Sequence, residues 1–143
     1  MKNYKNQIKD FLEKKTAKKK IVVIYGPTWA WKTDMSIEIA KTLNTEIIST
    51  DSRQIFKYMD IWTGKITPEE KSWVFHHMLD IIEPDKEYSV WEFKNESEKI
   101  ISKMYSENKI PVLCWWTGLY IDSLIYDFNI PKIPWDKELR ESL

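Results

Sequence analysis

Ile21-Val22-Val23-Ile24-Tyr25-Gly26-Pro27-Thr28-Trp29-Ala30-Trp31-Lys32-Thr33 runs from an apolar, β-branched segment into a glycine and ends on a lysine-threonine pair. The first five residues suit a short buried parallel strand. Gly26 to Thr33 then follows G-x-x-x-x-G-K-[ST], a loop that wraps backbone N–H groups around phosphate oxygens, with Trp31 standing at the second glycine. Lys32 is placed to neutralise phosphate oxygens, and the Thr33 hydroxyl to hold Mg²⁺. From Lys32 to Leu43 the apolar positions Met35, Ile37, Ile39, Ala40 and Leu43 predict a helix. Strand, phosphate loop and helix in that order form the context the motif requires.

Trp31 is an obstacle. Glycines in such a loop supply unusual dihedrals and close approach to the anion, and a side chain there obstructs both. Composition bears on the anomaly: glycine averages about 7% of residues, whereas this chain has three glycines and eight tryptophans in 143 residues. Together the eleven come close to an ordinary glycine share. UGG encodes tryptophan, GGA encodes glycine, and UGA lies one base from each. The expectation is a gene from an organism that reads UGA as glycine, written out with a table that reads it as tryptophan. A decayed or divergent gene with real tryptophans is the alternative.

Further along, Glu46 to Thr50 predicts a second strand that delivers Asp51 at its C-terminal end, where ligands bind in open α/β sheets. Met78 to Ile82 predicts another short strand. Tyr88 to Ser106 predicts a long helix with Phe93, Ile100, Ile101 and Met104 on one face and Ser89 as N-cap. Ile110 to Cys114 is the next buried strand, with Pro111 confined to its entry, and a helix follows from Leu119 to Tyr126. Strands alternating with helices predict an α/β fold: a P-loop NTPase-like, doubly wound, mostly parallel sheet flanked by helices. Residues 1–19, with Tyr4, Ile8, Phe11 and Leu12 at helical spacing, form a basic leader helix. Residues 20–128 form the α/β core, and 129–143 a linker marked by Pro131 and Pro134 and the start of a helix.

Twenty-two basic and twenty-two acidic residues cancel, so bulk charge selects no partner. The run Lys14, Lys15, Lys18, Lys19 and Lys20 reads as a solvated helix face in preference to a nucleic-acid patch. The lone Cys114 excludes an internal disulfide, and the lysine-rich start lacks the apolar region of a signal peptide. No apolar run approaches the ~20 residues of a membrane span. These features predict a soluble, cytoplasmic protein with no membrane partner.

The chemistry-bearing segments are Asp51-Ser52-Arg53-Gln54 and Asp60-Ile61-Trp62-Thr63-Gly64-Lys65, which put a carboxylate, an amide, a guanidinium and a second lysine near the sheet's ligand edge. Asp51 suits a general base or a metal-associated acid. Asp60 and Lys65 are as readily an ordinary surface pair. His76 and His77 invite a zinc site, but no Cys or second ligand pair is spaced for one, which favours structural hydrogen bonding. Tyr105, Tyr120 and Tyr126 read as core or helix-face aromatics.

With H-H-M-L-D-I at His76 to Ile81, Y-S-V-x-E-F at Tyr88 to Phe93 and T-G-L-Y-I-D at Thr117 to Asp122, these segments resemble the tRNA dimethylallyltransferases over about Ile21 to Arg140. D-S-R-Q, H-H-x-L-D and T-G-L-Y in sequence are specific; the phosphate loop alone is shared by many enzymes. Where the family has glycine this chain has Trp31, Trp62, Trp73, Trp115 and Trp116, and Trp29 falls at a small-residue position. Trp91 and Trp135 lie where the pattern is looser, while Lys32, Thr33, Asp51, Gln54 and Thr117 are intact.

The resemblance implies transfer of a dimethylallyl group from dimethylallyl diphosphate to N6 of the adenosine 3′-adjacent to the anticodon, with release of diphosphate and Mg²⁺ as cofactor. Gly26, Pro27, Thr28, Trp29, Ala30, Trp31, Lys32 and Thr33 would hold the diphosphate. Lys32 and Thr33 would stabilise the leaving group and Asp51 would accept the amine proton. Asp51, Ser52, Arg53, Gln54, Thr117 and Arg140 would contact the tRNA anticodon stem-loop, its adenosine turned out of the stack. A monomer is implied. Relatives are about twice as long and add a helical tRNA-gripping region, so the chain reads as an N-terminal portion, truncated before that region and expected to be inactive alone. A small P-loop kinase and a non-catalytic remnant are the alternatives.

Overall fold

The computed structural model describes residues 4–26, 31–59, 64–115, 117–132 and 142. In chain order the elements are α1 (Tyr4–Glu13), β1 (Val22–Ile24), α2 (Lys32–Leu43), β2 (Ile47–Ser49), α3 (Pro68–Lys71), β3 (His76–His77), α4 (Val90–Ser106), β4 (Val112–Cys114) and α5 (Gly118–Ile125). The strands form one sheet in the order β1-β4-β2-β3. All three pairings are parallel, with Val112 opposite both Val22 and Ile47, and Ile47 opposite His76. Their C-terminal ends therefore share one edge.

Period-two alternation divides the core between the sheet's two faces. Ile24, Ile47, Val112 and Cys114 pack with Ile37, Ile39 and Ala40 of α2 on one face. Ile48 and Leu113 pack with Phe93 and Met104 of α4 and Tyr120 of α5 on the other. Val112, Leu113, Ile47 and Ile48 are fully buried, each worth about 1.5–3 kcal/mol of apolar burial. Helices on both faces of a parallel sheet make the doubly wound arrangement. Phe93 and Tyr120 stack at 3.9 Å and fix α5 against α4.

Local chemistry explains the helix starts. Ser89 caps α4 by accepting the Glu92 N–H at 3.2 Å, while the Glu92 carboxylate accepts the Ser89 N–H at 2.7 Å. Thr67 and Glu70 form the same reciprocal cap on α3, with Pro68 at its first turn.

Two expectations are corrected. The strand placed at Met78 to Ile82 is the pair His76–His77 instead, because Met78 and Asp80 have φ of 62° and 55° and turn the chain out of the sheet; only Ile82 keeps a bridge, to Phe56. The lysine run is not a helix face. Helix α1 ends at Glu13, and the Lys20 ammonium reaches back to donate to the Phe11 and Leu12 carbonyls at 2.6 and 2.8 Å, capping that end. Lys14, Lys15, Lys18 and Lys19 are exposed on the connection into β1, at the strand end opposite Gly26.

Candidate active site

Three strands deliver the site. β1 leads to Gly26, and Trp31 is the N-cap of α2, whose twelve residues aim their amino end at this edge. Lys32 is 1% exposed, donates to the Gly26 carbonyl, and holds its ammonium 5.6 Å from the centre of the Trp115 indole. The first turn of α2 is braced by Ser36, whose hydroxyl donates to the Thr33 carbonyl at 2.8 Å.

After β2, Thr50 donates its N–H and its hydroxyl to the Cys114 carbonyl at 2.9 and 3.1 Å, locking β2 to β4 just below the edge. Asp51 follows, 8% exposed, its Oδ1 accepting the Arg53 N–H at 2.8 Å. This side-chain-to-backbone turn sets the carboxylate. After β4, Thr117 accepts the Ser52 N–H at 3.0 Å and donates its own N–H to the Thr50 carbonyl at 3.2 Å. Asp51, Ser52 and Thr117 are thus one hydrogen-bonded unit.

Gln54 lies wholly buried beneath this turn: Ser49 donates to its Oε1 at 3.3 Å, and its Nε2 donates to the Gly64 carbonyl at 3.4 Å. Arg53 is exposed. Pro27, Thr28, Trp29, Ala30, Asp60 and Arg140 lie outside the described residues.

Lys65 and Asp80 hold the turn from behind. The Lys65 ammonium, its side chain 5% exposed, pairs with the Asp80 carboxylate and donates to the Phe56 carbonyl at 2.9 Å. Asp80 in turn donates its N–H to the Gln54 carbonyl at 3.2 Å. Sequence reasoning assigned Asp80 no role. The signal for it was its place in H-H-M-L-D-I.

Burial keeps neighbouring groups neutral. It pushes the Cys114 thiol up to about 11. Burial, then the Glu92 and Asp51 carboxylates, pushes the Tyr120 phenol up to about 12. Desolvation holds His76 below its usual range, with Nδ1 donating to the Val74 carbonyl at 2.9 Å. His77 pairs with Glu46 at 2.6 Å. Among the described residues no group of three or more His, Cys, Asp or Glu is placed to hold a metal, and no helix is long and apolar enough to cross a membrane.

The family description IPP transferase matches residues 54–143, and Isopentenyl transferase matches residues 19–76. The chain belongs to the IPP transferase family. The tRNA dimethylallyltransferase of Alkaliphilus oremlandii is 48% identical over 126 residues, 88% of this chain and 40% of that protein. Its counterpart in Staphylococcus aureus strain JH9 is 49% identical over 110 residues, 77% of this chain and 35% of that protein. Among solved structures, the full-length tRNA isopentenylpyrophosphate transferase of Bacillus halodurans superposes with a TM-score of 0.78 at 41% identity, over 87% of this chain and 41% of that one. A eukaryotic dimethylallyltransferase acting on tRNA gives 0.74 at 27% identity, over 87% and 32%. The chain thus spans about 40% of the length of the curated relatives it matches.

Proposed function

We propose that this chain carries the diphosphate-binding and proton-accepting part of a tRNA dimethylallyltransferase. One observation supports the reading above the others: Lys32, Asp51 and Thr117 leave the C-terminal ends of three adjacent parallel strands, with the Asp51-Ser52 turn hydrogen-bonded to Thr117. The names of the relatives point the same way.

The chemistry follows from the residue types. The adenosine N6 lone pair forms a bond to C1 of the dimethylallyl group, the C1–O bond breaks, and its electron pair leaves with diphosphate. The N6 proton passes to the Asp51 carboxylate. Lys32 and the N-terminal N–H groups of α2 stabilise the charge growing on the leaving group. Thr33, a hydroxyl at the start of α2, belongs to the hard oxygen donors that Mg²⁺ takes together with substrate phosphates. Bound there, the ion would neutralise diphosphate charge. Exposed Arg53 and the Ser52-Thr117 pair face the flipped adenosine, buried Gln54 supports their turn, and Arg140 is a further RNA contact.

The test is transfer of labelled dimethylallyl from its diphosphate to an anticodon stem-loop by the native protein. Label on N6 of the adenosine 3′ to the anticodon supports the proposal. Phosphate transfer from ATP to a small metabolite, with no label on RNA, overturns it in favour of a kinase.

A further inference from the structure

Four tryptophans lie among the described residues: Trp31, Trp73, Trp91 and Trp115. Trp91 sits in α4, half-buried, with the Lys132 ammonium 4.8 Å from its ring centre. The other three all have positive φ: 30° at Trp31, 70° at Trp73 and 111° at Trp115. A bulky L-residue is a backbone outlier there, and glycine is the ordinary occupant.

The remaining positive-φ positions behave differently. Asn44, Asn108, Asp80, Asp127 and Ser72 are short and polar, the types that tolerate this region best. Tyr58 and Met78, at 63° and 62°, fall inside the narrow left-handed island that side chains can enter, and Trp73, at 70°, sits at its rim, so its exposure just past a helix end sets it apart and not its angle. Trp115, at 111°, falls well outside the island. Gly64, a glycine already written as such, has φ of 56°.

Two of the three indoles, Trp31 and Trp73, also lack the packing that would offset such strain. Trp73 is fully exposed one residue after the Ser72 cap of α3, the position where glycine most often ends a helix. Trp31 is 51% exposed and makes no side-chain cap on α2. Trp115 is buried in the core, with the centre of its ring 5.6 Å from the Lys32 ammonium, so the indole takes up space beside the lysine that a glycine would leave open.

We infer that residues 31, 73 and 115 are glycine in the protein its source organism makes, inserted at UGA codons, and that glycine at 115 uncovers Lys32 for a diphosphate. The first half rests on backbone geometry and composition alone. The second deepens the proposed function and rests on that reading.

Peptide mass spectrometry of the protein isolated from its source reads the residues directly. Glycine masses at 31, 73 and 115 are expected, and tryptophan masses at these positions overturn the inference. The recombinant chain as written, compared with its Trp31→Gly, Trp73→Gly, Trp115→Gly form, gives a second readout. The glycine form unfolds about 10 °C higher and binds Mg²⁺-pyrophosphate about tenfold or more tightly, while Trp91→Gly, the control, lowers the midpoint. An as-written chain that is equally stable and binds pyrophosphate equally overturns the inference. Glycine masses and higher stability without pyrophosphate binding uphold the residue assignment and remove the diphosphate reading instead.

Discussion

The Ser52 backbone N–H donates to the Thr117 hydroxyl at 3.0 Å, across 65 residues of sequence. That bond joins the turn after β2 to the start of α5 and makes the spacing of Asp51 from the β4 edge a property of two strands. Thr117→Ala leaves the N–H without its acceptor and costs about 1 kcal/mol of stability, whereas Thr117→Ser keeps the bond. Urea unfolding of the two variants separates the hydroxyl from the lost methyl. In a transfer assay of the native protein Thr117→Ala lowers turnover and Thr117→Ser restores most of it.

Lys65 is the rear support of the same turn. Its removal strands the Phe56 carbonyl and unpairs Asp80. Lys65→Ala costs about 1–3 kcal/mol by chemical denaturation, and Lys65→Arg recovers part of it, because a guanidinium can still reach one of the two acceptors.

At the opposite sheet edge the Glu46 carboxylate bonds Lys109 and His77. The Lys109 hydrogen bond, against an opposing contribution from burial, holds Glu46 below the usual carboxylate range. A lowered folded-state pKa means stability that is present above the unfolded pKa of about 4.3 and lost as pH falls through the folded value. Unfolding free energy measured from pH ~6 downward therefore falls less steeply in Glu46→Gln than in the parent. Equal slopes would show that the cluster contributes nothing to acid sensitivity.

Asp51→Asn keeps the acceptor for the Arg53 N–H and removes the proposed base. Transfer by the native protein falls by about 10²–10⁴-fold with little change in the unfolding midpoint. A comparable loss of stability would reassign Asp51 to folding.

Much of this was legible in the residue order. Ile21 to Tyr25 and Ile110 to Cys114 read as buried strands because nothing polar interrupts them, and the rule that ligands collect at strand C-termini pointed to Asp51, while Thr117 came only from the family resemblance. What escaped depended on contacts distant in sequence or on very short elements. β3 is two histidines with no apolar pattern to announce it. The four-residue α3 is defined by its cap and not by a buried face. The extent of α1 is set by Lys20 reaching back over eight residues, which periodicity cannot foresee. Gln54 reads as a polar reader of ligand in sequence, yet the fold turns it inward to Ser49 and Gly64. The tryptophans were suspect from composition, and at Trp31, Trp73 and Trp115 the backbone angles supply a physical reason.

The most direct test of the account is a calorimetric titration of dimethylallyl diphosphate with Mg²⁺ into the chain carrying glycine at 31, 73 and 115, with and without Lys32→Met. The account predicts saturable one-to-one binding that Lys32→Met weakens about a hundredfold. Absence of binding, or binding indifferent to Lys32, would contradict a diphosphate site at the end of β1.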